Sequence, residues 1–282
     1  MNVHWPTVAI VGVGLIGGSL GRGLLSRQLA QRVIGVGRSQ ASLNAARRAG
    51  AVTETTLDPA AVAEADLVVV ATGVRSIPGL LEAVDQAVRP GTLVTDAGST
   101  KASIVAAWEK RRKHRRGRFV GSHPLAGSHR RGPEAADAEL FTGRVTVVTP
   151  ALATPPNDVA AIGEFWSALG ATVFVMSPRE HDRIVAATSH APHVMAAAIA
   201  AATPTAALPF TAGGWRDTTR IAAGDAELWA DILLDNAGPL GTALGRIASA
   251  AERILAAVEA GDRRRLVNLL SRAKDARDVL GS

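Results

Sequence analysis

The sequence predicts an α/β chain: a doubly wound parallel sheet with helices on both faces, followed by a domain of helices alone. Three observations predict it. Short, almost entirely apolar β-branched runs alternate with helical stretches through the first 178 residues. Strands that read as unbroken apolar runs are buried on both faces, as in a parallel sheet flanked by helices. After Arg179 no strand pattern remains, and Ala-, Leu- and Ile-rich stretches with helical spacing take over.

The predicted strands are residues 8–11, 33–36, 67–70, 93–95, 119–120 and 145–148. Helical stretches 15–29, 39–49, 77–88 and 100–112 lie between them, the rhythm of repeated strand–helix–strand units. A turn-rich break at 150–158 precedes one more helix, 159–169, closed by Gly170, and one more strand, 172–175. This sets a first domain over 1–178 and a second over 179–282. In the second domain, helices are expected over 184–202, 227–260 and 263–280, with Leu244, Ile247, Ala251, Ile254, Leu255 and Val258 on one stripe. A helix of about thirty residues is too long to bury itself in a small monomeric bundle, so a homodimer is expected.

Composition narrows the class. A chain of 282 residues with 47% hydrophobic and 20% charged residues builds a real core and is not a disordered segment. It has no cysteine, which excludes disulfides and thiolate metal sites. The first apolar stretch has no basic segment before it and runs straight into a glycine motif, so a cytoplasmic protein without a signal peptide is expected. No run of about 18 apolar residues suggests a membrane span. Much of the net charge of +6 sits in one stretch, KRRKHRRGR at 110–118. At the end of a helix this reads as a solvated face that complements the helix dipole, and no nucleic-acid partner is expected.

The first chemical signal is Gly12-Val13-Gly14-Leu15-Ile16-Gly17, directly after a strand and opening a helix. In that context the motif is a dinucleotide-binding turn of the Rossmann type. Gly12 permits the tight turn, Gly14 lets backbone N–H groups approach a pyrophosphate, and Gly17 lets helix and strand pack closely. The second strand ends in Gly37-Arg38-Ser39, without the acid that usually holds the ribose of NAD. A guanidinium and a hydroxyl suit a 2′-phosphate, which points to NADP ahead of NAD. The third strand leads into Thr72 and the fourth into Ser99 and Thr100, all at the carboxyl edge where ligands of this architecture bind. Ser99 also reads as a cap for the following helix.

Three polar clusters follow. Residues 121–128, GSHPLAGS, place His123 on a short stiff loop after a strand, facing the cofactor crevice. Ser189-His190-Ala191-Pro192-His193 puts two histidines three apart on one helix face, with Pro192 marking a bend or a first turn. No third ligand stands at a suitable spacing, so no metal site is expected. Residues 213–221, GGWRDTTRI, set Arg216 and Arg220 about Asp217; one arginine paired with the acid leaves the other to hold a carboxylate. Cofactor, imidazole base and arginine together form a kit for oxidising an alcohol on an anionic molecule.

In combination, VAIVGVGLIGGSL, DAGSTKASI, GSHPLAGS, HDRIVAATSHAPHV and GGWRDTTRIAAGDAELWADI resemble the prephenate/arogenate dehydrogenase family, in its order and spacing, across residues 7–240. The resemblance implies a Rossmann domain followed by a helical dimerisation domain. It implies His123 as the catalytic base, Ser99 on the substrate hydroxyl, and His190 and His193 along the substrate pocket. Arg220 falls on the carboxylate-binding position, and Trp229 on a pocket wall or dimer contact. The implied reaction is oxidative decarboxylation of prephenate to 4-hydroxyphenylpyruvate, with arogenate dehydrogenation to tyrosine as the alternative. Gly73 and Val74, and the lack of a basic residue after Asn236, depart from the pattern. Two other readings stand beside it. A β-hydroxyacid dehydrogenase shares the plan but relies on a lysine in its helical domain, and here the last 169 residues hold only Lys274, outside any motif. A non-catalytic NADP-binding regulator would not need the intact His123 and Arg220 stretches.

Overall fold

The computed structural model describes residues 5–111, 115–127, 130–279 and 281. The first unit runs β1 (Thr7–Val11), α1 (Leu15–Ser26), β2 (Arg32–Val36), α2 (Gln40–Arg48), β3 (Glu54–Thr56), β4 (Leu67–Val70) and α3 (Ile77–Ala87). It continues through β5 (Leu93–Asp96), α4 (Ala102–Glu109), β6 (Arg118–Pro124), β7 (Val145–Thr149), α5 (Pro156–Ala168) and β8 (Thr172–Val175). The eight strands form one sheet in the order β3-β2-β1-β4-β5-β6-β7-β8. The strand order reverses between β1 and β4, and the crevice beyond their carboxyl ends is where such sheets bind ligands.

Alternate residues of β1 explain the two faces of the core. Val8 and Ile10 join Leu20, Leu24, Phe165 and Trp166 on one side. Ala9 and Val11 join Ile77, Leu81, Ile104 and Trp108 on the other. Both faces are covered, as the apolar runs require.

Two features of the sheet depart from the sequence expectation. β3 is an additional strand, Glu-Thr-Thr, paired to β2 at the sheet edge and lacking any buried residue; a polar edge strand has no apolar run to mark it. The second is the direction and length of β6. All pairs are parallel except β6 with β7, which is antiparallel from Gly121 opposite Thr149 to Pro124 opposite Thr146. That pairing carries β6 on through the polar residues after Val120, so His123 sits on the strand itself and not on a loop beyond it.

The helical region comprises α6 (Pro178–Val185), a π turn (Ala186–His190), α7 (Ala191–Ala202), α8 (Gly213–Thr219), α9 (Ala226–Asp235), α10 (Ala237–Glu259) and α11 (Arg263–Asp278). Pro192 lies in the first turn of α7, where a missing N–H is harmless. The expected helix over 227–260 is two helices, broken at Asn236, whose backbone leaves the helical region at φ −108°, ψ 27°. The run Pro178–Ala202 reaches the length and apolarity of a membrane span, 25 residues with mean hydropathy 1.3. Its first turns, however, carry buried His181 and Asp182.

The basic stretch is not one solvated face. α4 ends at Glu109. Arg115 lies over the Trp108 ring, Arg118 belongs to β6 and pairs with Asp158, and the backbone N–H groups of Arg116 and Gly117 donate to buried Asp85. Positions 112–114 lie outside the described residues.

Candidate active site

The glycine turn after β1 forms the floor of a cleft. Gly12 has φ +97°, and a Cβ there would lie 2.5 Å from Thr72 Cγ2 and 2.8 Å from the Ala71 carbonyl oxygen. A Cβ on Gly17 would come within 2.1 Å of the Gly12 carbonyl oxygen. Both glycines are demanded by the protein's own packing. Gly14 is different: no atom lies within 4 Å of its would-be Cβ. Gly14, Leu15, Ile16, Thr72, Gly98, Ser99, Ala126, Gly127 and Trp229 all line this cleft of about 340 Å³. Thr72 adds a buried hydroxyl without a hydrogen-bond partner among the described residues. An open glycine at a helix start and an unpaired hydroxyl beside it fit a dinucleotide's phosphates.

Beneath the cleft lies a layer of buried polar groups. Lys101 is fully buried and ion-pairs with Asp96 at the end of β5. Its ammonium also donates to the Ser122 carbonyl at 2.9 Å. Asp96 in turn accepts from the Gly98 and Ser122 amides at 2.8 and 3.2 Å. Burial pulls the Lys101 pKa down, and the adjacent Asp96 carboxylate offsets part of that shift. Ser99 does not cap α4, whose N-cap is Lys101 without a side-chain bond. Instead Ser99 faces the cleft, and Thr100 donates to Asp235.

His123 Nδ1 lies 2.8 Å from His181 Nε2. His181 Nδ1 lies 2.8 Å from Asp182 Oδ1. Asp182 accepts the Lys101 amide on Oδ1 and the Ala102 amide on Oδ2, each at 2.8 Å. Burial alone would raise the Asp182 pKa, but the hydrogen bonds from His181 and the two amides hold it below the usual carboxylate range. His123 is held well below an ordinary histidine, first by burial and then by its neighbours His181, Lys101 and His190.

The far wall comes from the helical region. Asn236 donates to the Asp182 carbonyl at 2.8 Å and contacts His190 Nδ1 at 3.1 Å. His193 stacks on Trp229 with ring centroids 3.6 Å apart, and His190 meets the same ring edge-on at 6.1 Å. A Cβ on Gly224 would lie 2.5 Å from Trp229 Nε1, so a glycine is required where that ring seats. Burial lowers the His190 pKa to about 4 and also lowers that of His193. No group of three His, Cys, Asp or Glu is placed to hold a metal ion among the described residues.

The structure thus brings Gly14, Leu15, Ile16, Thr72 and Ser99 to one cleft, and joins His123 to His190 through His181, Asp182 and Asn236. Arg38 and Ser39 stand exposed at the end of β2, where the Ser39 hydroxyl caps α2 by accepting from the Ser42 amide at 3.4 Å. Arg216, Asp217 and Arg220 are exposed, and no ion pair joins them among the described residues, so the expected arginine–aspartate pairing does not form. Ser128 lies outside the described residues. Sequence reasoning did not single out Lys101, His181, Asp182 or Asn236. Only the HD pair at the start of the helical region, close before two further histidines, gave a signal.

A switch-point cleft built for a dinucleotide, with an imidazole on the neighbouring strand, defines the class: a Rossmann-fold oxidoreductase. The comparisons make it particular. Residues 20–175 match the nucleotide-binding domain of prephenate dehydrogenase, and residues 177–272 match its dimerization domain. The chain is 33% identical to the prephenate dehydrogenase of Bacillus subtilis, over 99% of this chain and 77% of that one. It is 32% identical to the cyclohexadienyl dehydrogenase of Zymomonas mobilis, over 97% and 95%. The Aquifex aeolicus prephenate dehydrogenase, solved with hydroxyphenyl propionate and NAD+, superposes with a TM-score of 0.90 at 28% identity, over 97% and 98% of the two chains. The chain belongs to the prephenate/arogenate dehydrogenase family. A 3-hydroxyisobutyrate dehydrogenase from Mycobacterium tuberculosis shares the fold alone, at a TM-score of 0.54 and 16% identity over 79% of this chain and 72% of that one.

Gly14 separates folding from binding. Gly14→Ala adds a methyl group into open space and should change stability by no more than about 1 kcal/mol, read by urea denaturation. Dinucleotide affinity, read by titration calorimetry, should fall at least tenfold; unchanged affinity would place the phosphates elsewhere.

Proposed function

We propose that the chain is a cytoplasmic, homodimeric prephenate dehydrogenase that oxidatively decarboxylates prephenate to 4-hydroxyphenylpyruvate, with NADP preferred over NAD. The observation that carries this reading is His123: one ring nitrogen is engaged with His181, and Ala126 and Gly127, just beyond it, line the dinucleotide cleft. The aromatic propionate held by the Aquifex relative has the shape of this product class. NADP is supported by Arg38, exposed at the end of β2 and without an ion pair among the described residues.

The chain's own residues divide the work. The glycine turn and Thr72 seat the phosphates. A nicotinamide held there would supply the acceptor for the hydride on the ring carbon that bears the hydroxyl. His123, neutral at physiological pH, takes the hydroxyl proton on its outward nitrogen, and Ser99 orients that hydroxyl. The ring ketone that results loses its carboxylate as CO2, driven by aromatisation, so no second base is needed. His190, His193 and Trp229 wall the pocket. Arg220 opens the short turn Arg220–Ala223 that is capped by Gly224, against Trp229, and holds the side-chain carboxylate.

Turnover measured with prephenate and arogenate, each with NAD and NADP, tests this reading. Prephenate with NADP should be fastest; faster turnover of arogenate would transfer the assignment to that substrate, and no turnover with either would leave a dinucleotide-binding regulator. His123 must be neutral to act, and its pKa is lowered. Acidification therefore inactivates the enzyme only well below pH 6.5. His123→Asn should lower kcat by roughly 10²–10⁴-fold and abolish that acid limb.

Arg220→Ala should weaken substrate binding by about 2–5 kcal/mol, seen in KM, with cofactor affinity unchanged. An unaltered KM would move the carboxylate to Arg216.

The dimer has its own support. α11 buries none of its residues, and Leu255, Val258, Val267 and Leu270 are exposed along α10 and α11. Sedimentation at micromolar concentration should show twice the chain mass; a single-chain mass would refute the homodimer.

A further inference from the structure

The hydrogen-bond chain behind His123 is anchored at Asp182 by donors of fixed direction. Backbone amides can only donate, and both oxygens of Asp182 already accept one, from Lys101 and Ala102. Asp182 is therefore an ionised acceptor toward His181, and the 2.8 Å contact requires a proton on His181 Nδ1. His181 is fully buried, so no bulk water offers it another arrangement. A His181 ring that carries its one proton on Nδ1 presents a lone pair on Nε2, and the 2.8 Å contact then sets the proton of the His123 ring on Nδ1. The two rings are not stacked: their planes are 73° apart and their centroids 5.0 Å apart, as for an N–H···N contact made between ring edges.

We propose that His181 and Asp182 are positioning residues that lock His123 in the Nδ1–H tautomer, with the lone pair of Nε2 presented to the substrate. The proposal rests on His123 as the base and adds what makes that base ready. The charged groups around His123 agree with it. Burial, and the ammonium of Lys101 at the start of α4, both disfavour a second proton on the ring. Lys101 is balanced by Asp96 beneath it. Asp182, one ring away, is the negative charge that steadies the imidazolium once the substrate proton arrives.

The lock spans the junction of the two regions. Asp182 grips the first amides of α4 while it orients His181, so the tautomer of a sheet residue is set by how the helical region docks. The base is correctly protonated only when that docking is complete.

Nitrogen NMR of the full-length protein labelled with ¹⁵N-histidine tests this, with the His123 signals assigned by their loss in His123→Asn. The native enzyme should show His123 protonated at Nδ1 and bare at Nε2. His181→Phe keeps a ring but no acceptor; His123 should then shift towards the Nε2–H form, with kcat about 10²-fold lower, the low end of what a positioned base supplies. His181→Gln offers a carbonyl to His123 and an amide to Asp182, and should restore both the Nδ1–H signal and most of kcat. An Nε2–H tautomer in the native protein overturns the lock, and so do equal rates for the Phe and Gln variants. If the Phe variant does not fold, the native spectrum still decides. Native turnover by His123→Asn would instead overturn the assignment of the base, which the tautomer measurement does not touch.

Discussion

Asp182 carries a carboxylate into the junction of the sheet and the helices, where it is only 4% exposed. A charge in such a place costs several kcal/mol unless its lone pairs are filled by well-placed donors. Here the donors are two backbone amides at the start of α4 and the ring of His181. The helix N-terminus also supplies a favourable partial positive charge. Because amides cannot move without moving the helix, satisfying Asp182 fixes where α6 lies against α4. The histidine chain inherits its position from that contact.

A second buried charge supports the first from below. Lys101 and Asp96 bind each other, and together they hold the backbone of Ser122, next to His123. The Ser122 hydroxyl is tied to Thr95 and to the Trp166 indole as well. A pair of this kind adds little net stability, since desolvation offsets the attraction, but removing one partner strands a charge. Its value lies in rigidity: the carboxyl ends of β5 and β6 are braced by polar contacts beneath the cleft.

The helical region is built differently. Its own buried cluster holds only Ala186, Ala191, Leu240 and Ala243, while long apolar side chains of α10 and α11 face outward. Part of its order comes from the sheet region, through Asp182, the Thr100 and Ser103 contacts with Asp235 and the packing of Ile232. The remainder is apolar surface of the kind that pairs with another copy.

The sequence by itself determined the local features, because local features have local signals. The apolar runs marked the central strands, and the glycine turn between strand and helix marked the cofactor cleft. Pro192 marked a bend or a first turn, and it lies in the first turn of α7. The polar strand β3 and the continuation of β6 through His123 left no such trace, since pairing with a neighbour, not side-chain pattern, makes them strands. Only the tertiary structure decided which polar residues work together. On a regular helix, residues nine apart point in opposite directions. The π turn between His181 and His190 changes that phase, so both reach the network about Asp182 and Asn236. Arg216 and Asp217, close in sequence, make no ion pair among the described residues, whereas Lys101 and Asp182, 81 residues apart, share a hydrogen bond. A buried charge must be paired wherever the fold can supply a partner, and that supply is a property of the packed chain.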